Sequence, residues 1–198
     1  MTVLAAAPLA GPPPDRRLPG DLAIWFFILA EMLAFAVFFA AYAFARARNV
    51  ALFNLSQLTL DRNAGALNTL LLISGSWFVV LAVRAAHRDD IKAVPRHIAL
   101  GFLCGGGFLA VKVAEYAAKF GAGISLSTNT FYMFYISLTF FHFMHVILGM
   151  VILTVLWCQA RAGAYGAHNA HGLESGAAYW HMVDLLWIIL FPLVYVMR

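Results

Sequence analysis

Residues 22 to 45 read LAIWFFILAEMLAFAVFFAAYAFA, an apolar run broken by a single carboxylate, Glu31. A helix rises about 1.5 Å per residue and a bilayer's hydrocarbon core is about 30 Å thick, so roughly 20 apolar residues cross it. This run is long enough. Four more follow, at about 66–86, 97–118, 130–158 and 177–197. In lipid every backbone polar group must be satisfied within the chain, which favours helices. The expected fold is therefore an all-α membrane protein, a five-transmembrane-helix bundle over residues 21–198. It follows an N-terminal tail, residues 1–20, which its prolines mark as flexible.

With 63% of residues hydrophobic and 11% charged, a water-soluble globule is excluded. The formal charge of +4 builds no basic stripe, so nucleic acid is not an expected partner. The tail lacks a basic start followed by an apolar stretch, and Arg16–Arg17 is only a weak twin-arginine match. The basic residues instead set topology. Arg16, Arg17, Arg84, Arg88, Lys92, Arg96 and Arg161 fall on one side; Arg46, Arg48, Arg62, Lys119 and Arg198 fall on the other. The positive-inside rule then puts the N-terminus in the cytoplasm and the C-terminus in the periplasm.

A charged side chain at the bilayer centre costs about 2.5–3.5 kcal/mol on insertion scales, so such residues face protein or water. Glu31 lies roughly 14 Å into the first span. His142 and His145 stand at i and i+3 on the fourth span, and His181 and Asp184 repeat that spacing on the fifth. These groups are predicted to meet at one depth as a buried polar cluster able to handle protons. A packing role is the competing reading for each. Glu31 would then be a protonated acid bonded to a neighbouring helix, and the HxxH pair a structural donor set.

Two histidines without a third ligand at matching spacing do not make a metal site, and neither a metal nor a catalytic group is expected. A bis-His haem needs opposing helices, and only His181 with one of the other two would allow it. That keeps a small b-type haem electron-transfer protein as a competing class. A transporter has less support, because no inverted halves or broken helix pairs are visible.

On the third span Lys112 and Glu115 form an i, i+3 pair near the outer end, and Glu115 with Lys119 an i, i+4 pair. Together they read as an interfacial ion network. Asn68, Thr69, Ser74, Gly75 and Ser76 form a small polar seam suited to close helix packing. Trp25, Trp77, Trp157, Trp180 and Trp187 read as interfacial anchors, and Cys104 and Cys158 as small hydrophobes.

Taken together, WFFILAEMLAFAVFF, ALNTLLLISGS, VKVAEY, FHFMHVILG and HGLESGAAYWHMVDLLW resemble, in family order, the motifs of haem-copper oxidase subunit III. The resemblance implies a helical accessory subunit that binds no redox centre itself. It would pack on the catalytic subunit that carries haem with copper or iron, hold phospholipid, and support assembly, stability and proton uptake. It carries Glu31, Asn68, Lys112, Glu115, His142, His145, Glu174, His181 and Asp184 onto family-motif positions. Phe143 stands where the family's HGxH stretch has glycine, and the first two helices of seven-helix members are absent, so their lipid cleft does not carry over.

The five-helix length looks most similar to the homologue associated with bacterial nitric oxide reductase, in a denitrifying inner membrane. An ordinary cytochrome c or quinol oxidase subunit III ranks second.

Overall fold

The computed structural model describes residues 21–197. The expected tail of residues 1–20 and Arg198 lie outside the described residues. Six α-helices follow one another: α1 (Leu22–Arg48), α2 (Val50–Gln57), α3 (Arg62–His87), α4 (Ala93–Gly121), α5 (Thr130–Arg161) and α6 (His171–Phe191), the last continued by a π-turn (Pro192–Val196). Five of them, α1, α3, α4, α5 and α6 with its π-turn, are long and apolar enough to cross a membrane. No strand occurs among the described residues.

Short polar side chains set where the helices begin. Asp21 accepts a hydrogen bond from the Ala23 amide, Asp61 from the Asn63 and Ala64 amides, and Asn129 from the Tyr132 amide. Each satisfies an amide that the first turn leaves without a partner. The polar connection at 46–65 holds a feature that its composition does not announce. Residues 50–57 form the short helix α2, which buries Phe53 and Gln57.

The spans alternate in direction, and hydrogen bonds tie together the segments at each end. At the end where α1 starts, the Asp21 amide donates to Ser175 Oγ at 3.0 Å and the Ala167 amide to Asp89 Oδ1 at 3.2 Å. At the opposite end Lys119 Nζ donates to the Thr59 carbonyl at 2.5 Å, and Gln57 Nε2 to the Val194 carbonyl at 2.8 Å. The first end holds Arg84, Arg88, Lys92, Arg96 and Arg161; the second holds Arg46, Arg48, Arg62 and Lys119.

α3 and α4 make the most extensive pairing, and glycine makes it possible. A Cβ on Gly75 would lie 3.2 Å from Cys104 Cβ and 3.4 Å from the Gly101 carbonyl, so the two backbones approach as only small residues allow. Gly105 receives Trp180 in the same way: an added Cβ would stand 2.7 Å from its ring and 2.5 Å from Met150 Sδ. Trp180 and Trp187 are buried rather than placed at the water interface. The anchoring expected of them is corrected by these glycine-lined recesses and by helix faces turned inward. α1 is the least embedded span, resting on α5 and α6 and leaving Leu29, Leu33 and Val37 exposed.

Candidate functional site

The polar residues picked out by the sequence do come from neighbouring helices. They divide, however, into separate hydrogen-bonded groups rather than one cluster.

The first group joins α1 to α5. Glu31 Oε2 lies 2.9 Å from His145 Nε2, while His145 Nδ1 lies 2.8 Å from the Phe141 carbonyl. A carbonyl only accepts, so Nδ1 carries a hydrogen. Nε2 then either accepts from a protonated Glu31 or, as imidazolium, donates to the carboxylate. Both forms have zero net charge and one proton between the partners. That is the least costly way to keep an acid and an imidazole in a low-dielectric interior. Phe35 and Phe141 pack edgewise on the His145 ring, and the Tyr179 hydroxyl donates to the His145 carbonyl at 3.2 Å. The Glu31 side chain keeps 22% of its surface exposed.

The second group joins α3 to α6. His181 Nδ1 lies 2.5 Å from Ser76 Oγ, and Asp184, one turn on, is buried with Oδ1 unpaired among the described residues. Counted along the helices, Glu31, Ser76 and His181 sit at about 14–16 Å from the same end of the bundle. Glu31 and His181 thus share a depth, whereas Asp184, three residues further along α6, lies about 20 Å from that end. The expected meeting of His181 and Asp184 with Glu31 does not occur, because α6 turns them toward α3.

His142 stands apart. It is wholly buried, its ring packed against Phe35, Phe108 and Trp187, and neither nitrogen has a partner among the described residues. Asn68 on α3 is likewise fully buried with both amide atoms unpaired. Both residues therefore carry hydrogen-bonding capacity that no other group among the described residues takes up.

The third group corrects the reading of an interfacial ion network. Lys112 is fully buried, and its Nζ donates to Glu115 Oε2 at 3.0 Å and to the Tyr195 hydroxyl at 2.8 Å. Glu115 Oε1 accepts from Tyr135 at 2.6 Å and from Tyr195 at 2.8 Å. The rings of Tyr116, Tyr135, Trp187 and Tyr195 stand 5.1–5.4 Å from the ammonium. Tyr116 donates to Thr139, which donates in turn to the Tyr135 carbonyl. Lys119 takes no part, since its ammonium reaches back to Thr59. The i, i+3 spacing of Lys112 and Glu115 was visible in the sequence. Tyr135 and Tyr195 were missed, because only the π-turn after Pro192 brings Tyr195 back onto α4.

Glu174 sits away from all three groups. At the end where α1 starts, it lies 2.9 Å from His87 Nε2 on α3. Beside it a groove of about 550 Å³ opens between α1, α3 and α6, lined mainly by Ile28, Met32, Val83, Met182 and Leu185, with Arg84 and Glu174 among its few polar residues. Cys104 and Cys158 are free thiols.

Comparison with known proteins agrees with the motif order. The family model for cytochrome c oxidase subunit III matches residues 20–198. "Cytochrome c oxidase subunit 3" of Thermostichus vulcanus is 34% identical over 185 residues, covering 93% of this chain and 89% of the relative. "Quinol oxidase subunit 3" of Bacillus subtilis (strain 168) is 27% identical over 176 residues, 89% of this chain and 86% of the relative. "Heme-copper oxidase subunit I+III" of Aeropyrum pernix is 30% identical over 179 residues, 87% of this chain and 22% of that longer polypeptide.

Proposed function

Because this chain belongs to the cytochrome c oxidase subunit III family, we propose that it is the accessory subunit of a haem-copper respiratory complex. It carries no redox centre and docks on the catalytic subunit that holds haem with copper or iron. The family match across the five spans carries this reading. The Aeropyrum relative, in which a segment similar to this chain sits within one polypeptide named for subunits I and III, supports the partner.

A cytochrome c or quinol oxidase stands first as the complex served. The short length that favours a nitric oxide reductase partner is shared with the Thermostichus relative, of which this chain covers 89%. Length therefore does not separate oxygen from nitric oxide as the substrate. The nitric oxide reductase reading keeps the motif resemblance as its support.

The geometry supports three roles in this reading. The closed Lys112–Glu115–Tyr135–Tyr195 network fixes α4, α5 and the π-turn against one another. The Glu31–His145 pair holds a proton near mid-membrane, where it can buffer uptake by the catalytic subunit. The groove beside Arg84 accepts a phospholipid, its apolar wall taking an acyl chain and the guanidinium a phosphate. The larger number of Lys and Arg in the sequence on the side where α1 starts supports an orientation with that side in the cytoplasm of a bacterial inner membrane.

Purification of the tagged chain from its own membranes tests the reading. The expected product is a complex with a large haem-containing polypeptide, and its consumption of oxygen or of nitric oxide identifies the partner. Recovery of the chain alone contradicts the proposal, as does a haem spectrum belonging to the chain itself.

A further inference from the structure

The small polar residues of α3 do not all turn inward. Thr69 bonds to the Gly65 carbonyl and accepts from the Trp187 indole, Ser76 meets His181, and Gly75 lies against α4. Ser74 is exposed on the opposite side of the helix, together with Leu67, Leu70 and Trp77. Their spacing of three, four and three residues makes one continuous stripe along the helix.

Depth makes that stripe unusual. Ser74 lies at the midpoint of α3, about 18 Å from either end, and Trp77 lies one turn on, about 15 Å from the His87 end. Trp77 is 57% exposed. Tryptophan in membrane proteins favours the water interface, where its N–H finds an acceptor. Trp157 follows that rule near the end of α5, with Arg161 5.1 Å over its ring. Trp180 and Trp187 are buried, so among the described tryptophans Trp77 is the one both central and outward-facing.

Acyl chains offer no acceptor to an indole N–H and no partner to a serine hydroxyl. Outward mid-span residues of the other helices include the apolar Leu33 on α1, Leu103 on α4, Val151 on α5 and Ile188 on α6, and the partly exposed Glu31 on α1 has its partner in His145. Those faces suit lipid. The α3 face suits a second protein, with a small residue that permits close approach, a large aromatic anchor and polar atoms in need of partners.

Resting on the docking reading above, we propose that the outward face of α3 centred on Ser74 and Trp77 seats a transmembrane helix of the catalytic haem-copper subunit. That helix supplies a hydrogen-bond acceptor to the Trp77 indole at mid-membrane and packs on Ser74 and Leu70.

Photo-crosslinking in the assembled complex tests the assignment. Benzoylphenylalanine replaces Leu70 in one variant and Leu33, Leu103 or Val151 in the others, each expressed with the whole complex in its own membrane. Position 70 is expected to crosslink to the haem-containing polypeptide at least about tenfold more than the other three. Crosslinks from any of those three but not from 70 overturn the proposal, and so does a product from 70 that contains only a second copy of this chain. Trp77→Leu is expected to lower the fraction of this chain retained on the complex in detergent about fivefold or more, as loss of an interface anchor does. Unchanged retention contradicts the role of Trp77. Failure of the unaltered chain to co-purify with any haem-containing polypeptide overturns the docking reading itself and is scored separately.

Discussion

Two acids on the spans of this bundle, the buried Glu115 and the partly exposed Glu31, are treated in opposite ways. Glu115 accepts from three donors, Lys112, Tyr135 and Tyr195, under a roof of aromatic rings. Glu31 meets one group, the His145 imidazole, and keeps part of its carboxyl surface outside the bundle. A carboxylate with both oxygens engaged by three donors, one of them an ammonium at contact distance, has little spare capacity, and such an arrangement serves to fix helices. An acid that shares one proton with an imidazole has two forms of equal net charge, and conversion between them needs only a proton shift. Number of partners, rather than burial alone, separates an acid that builds from an acid that can act.

The largest effect is expected at the sealed network. Lys112→Met leaves the Glu115 carboxylate buried without its counter-charge and should lower stability by about 3–5 kcal/mol. Thermal unfolding of the purified protein reads this directly, and adding Glu115→Gln should recover much of the loss. An unchanged midpoint for the single variant would break the contrast. Tyr195→Phe removes both a donor to Glu115 and an acceptor for Lys112, with an expected cost of about 1.5–3 kcal/mol in the same assay.

Smaller effects are expected at the open pair. His145→Leu strips Glu31 of its partner. The acid can protonate and meet its partly exposed side, so a cost of about 1–2 kcal/mol is expected. Glu31→Gln retains an N–H to offer His145 Nε2 and should stay within about 1 kcal/mol of the parent in the unfolding assay. A loss as large as that of Lys112→Met would place Glu31 among the scaffold acids.

The fold was largely legible because apolar length is a blunt and reliable signal: five runs gave five spanning helices. Rotation of each helix was less legible. α1 is apolar around most of its circumference, so nothing in its pattern says that Phe35 and Tyr42 face inward while Leu33 and Val37 face out. The same ambiguity hid the division of the polar cluster, since depth follows from counting residues and facing direction does not. Local pairs such as Lys112 with Glu115 were readable from spacing. The tyrosine that completes their network lies 80 residues beyond Glu115 and arrives through a π-turn that no periodicity announces. Helix α2 is not legible because its eight residues are too few for a periodic pattern or a span, and the burial of Trp180 is not because its recess is built by Gly105 and Gly149 on other helices.

The central contrast is tested most directly by the turnover of the assembled complex carrying Glu31→Gln, followed over many cycles at subunit content matched to the parent. The expected result is a normal content of this chain and near-parental stability, with sustained turnover that declines faster than in the parent. Turnover superimposable on the parent throughout would contradict a proton role for Glu31 and leave it a packing residue like Glu115.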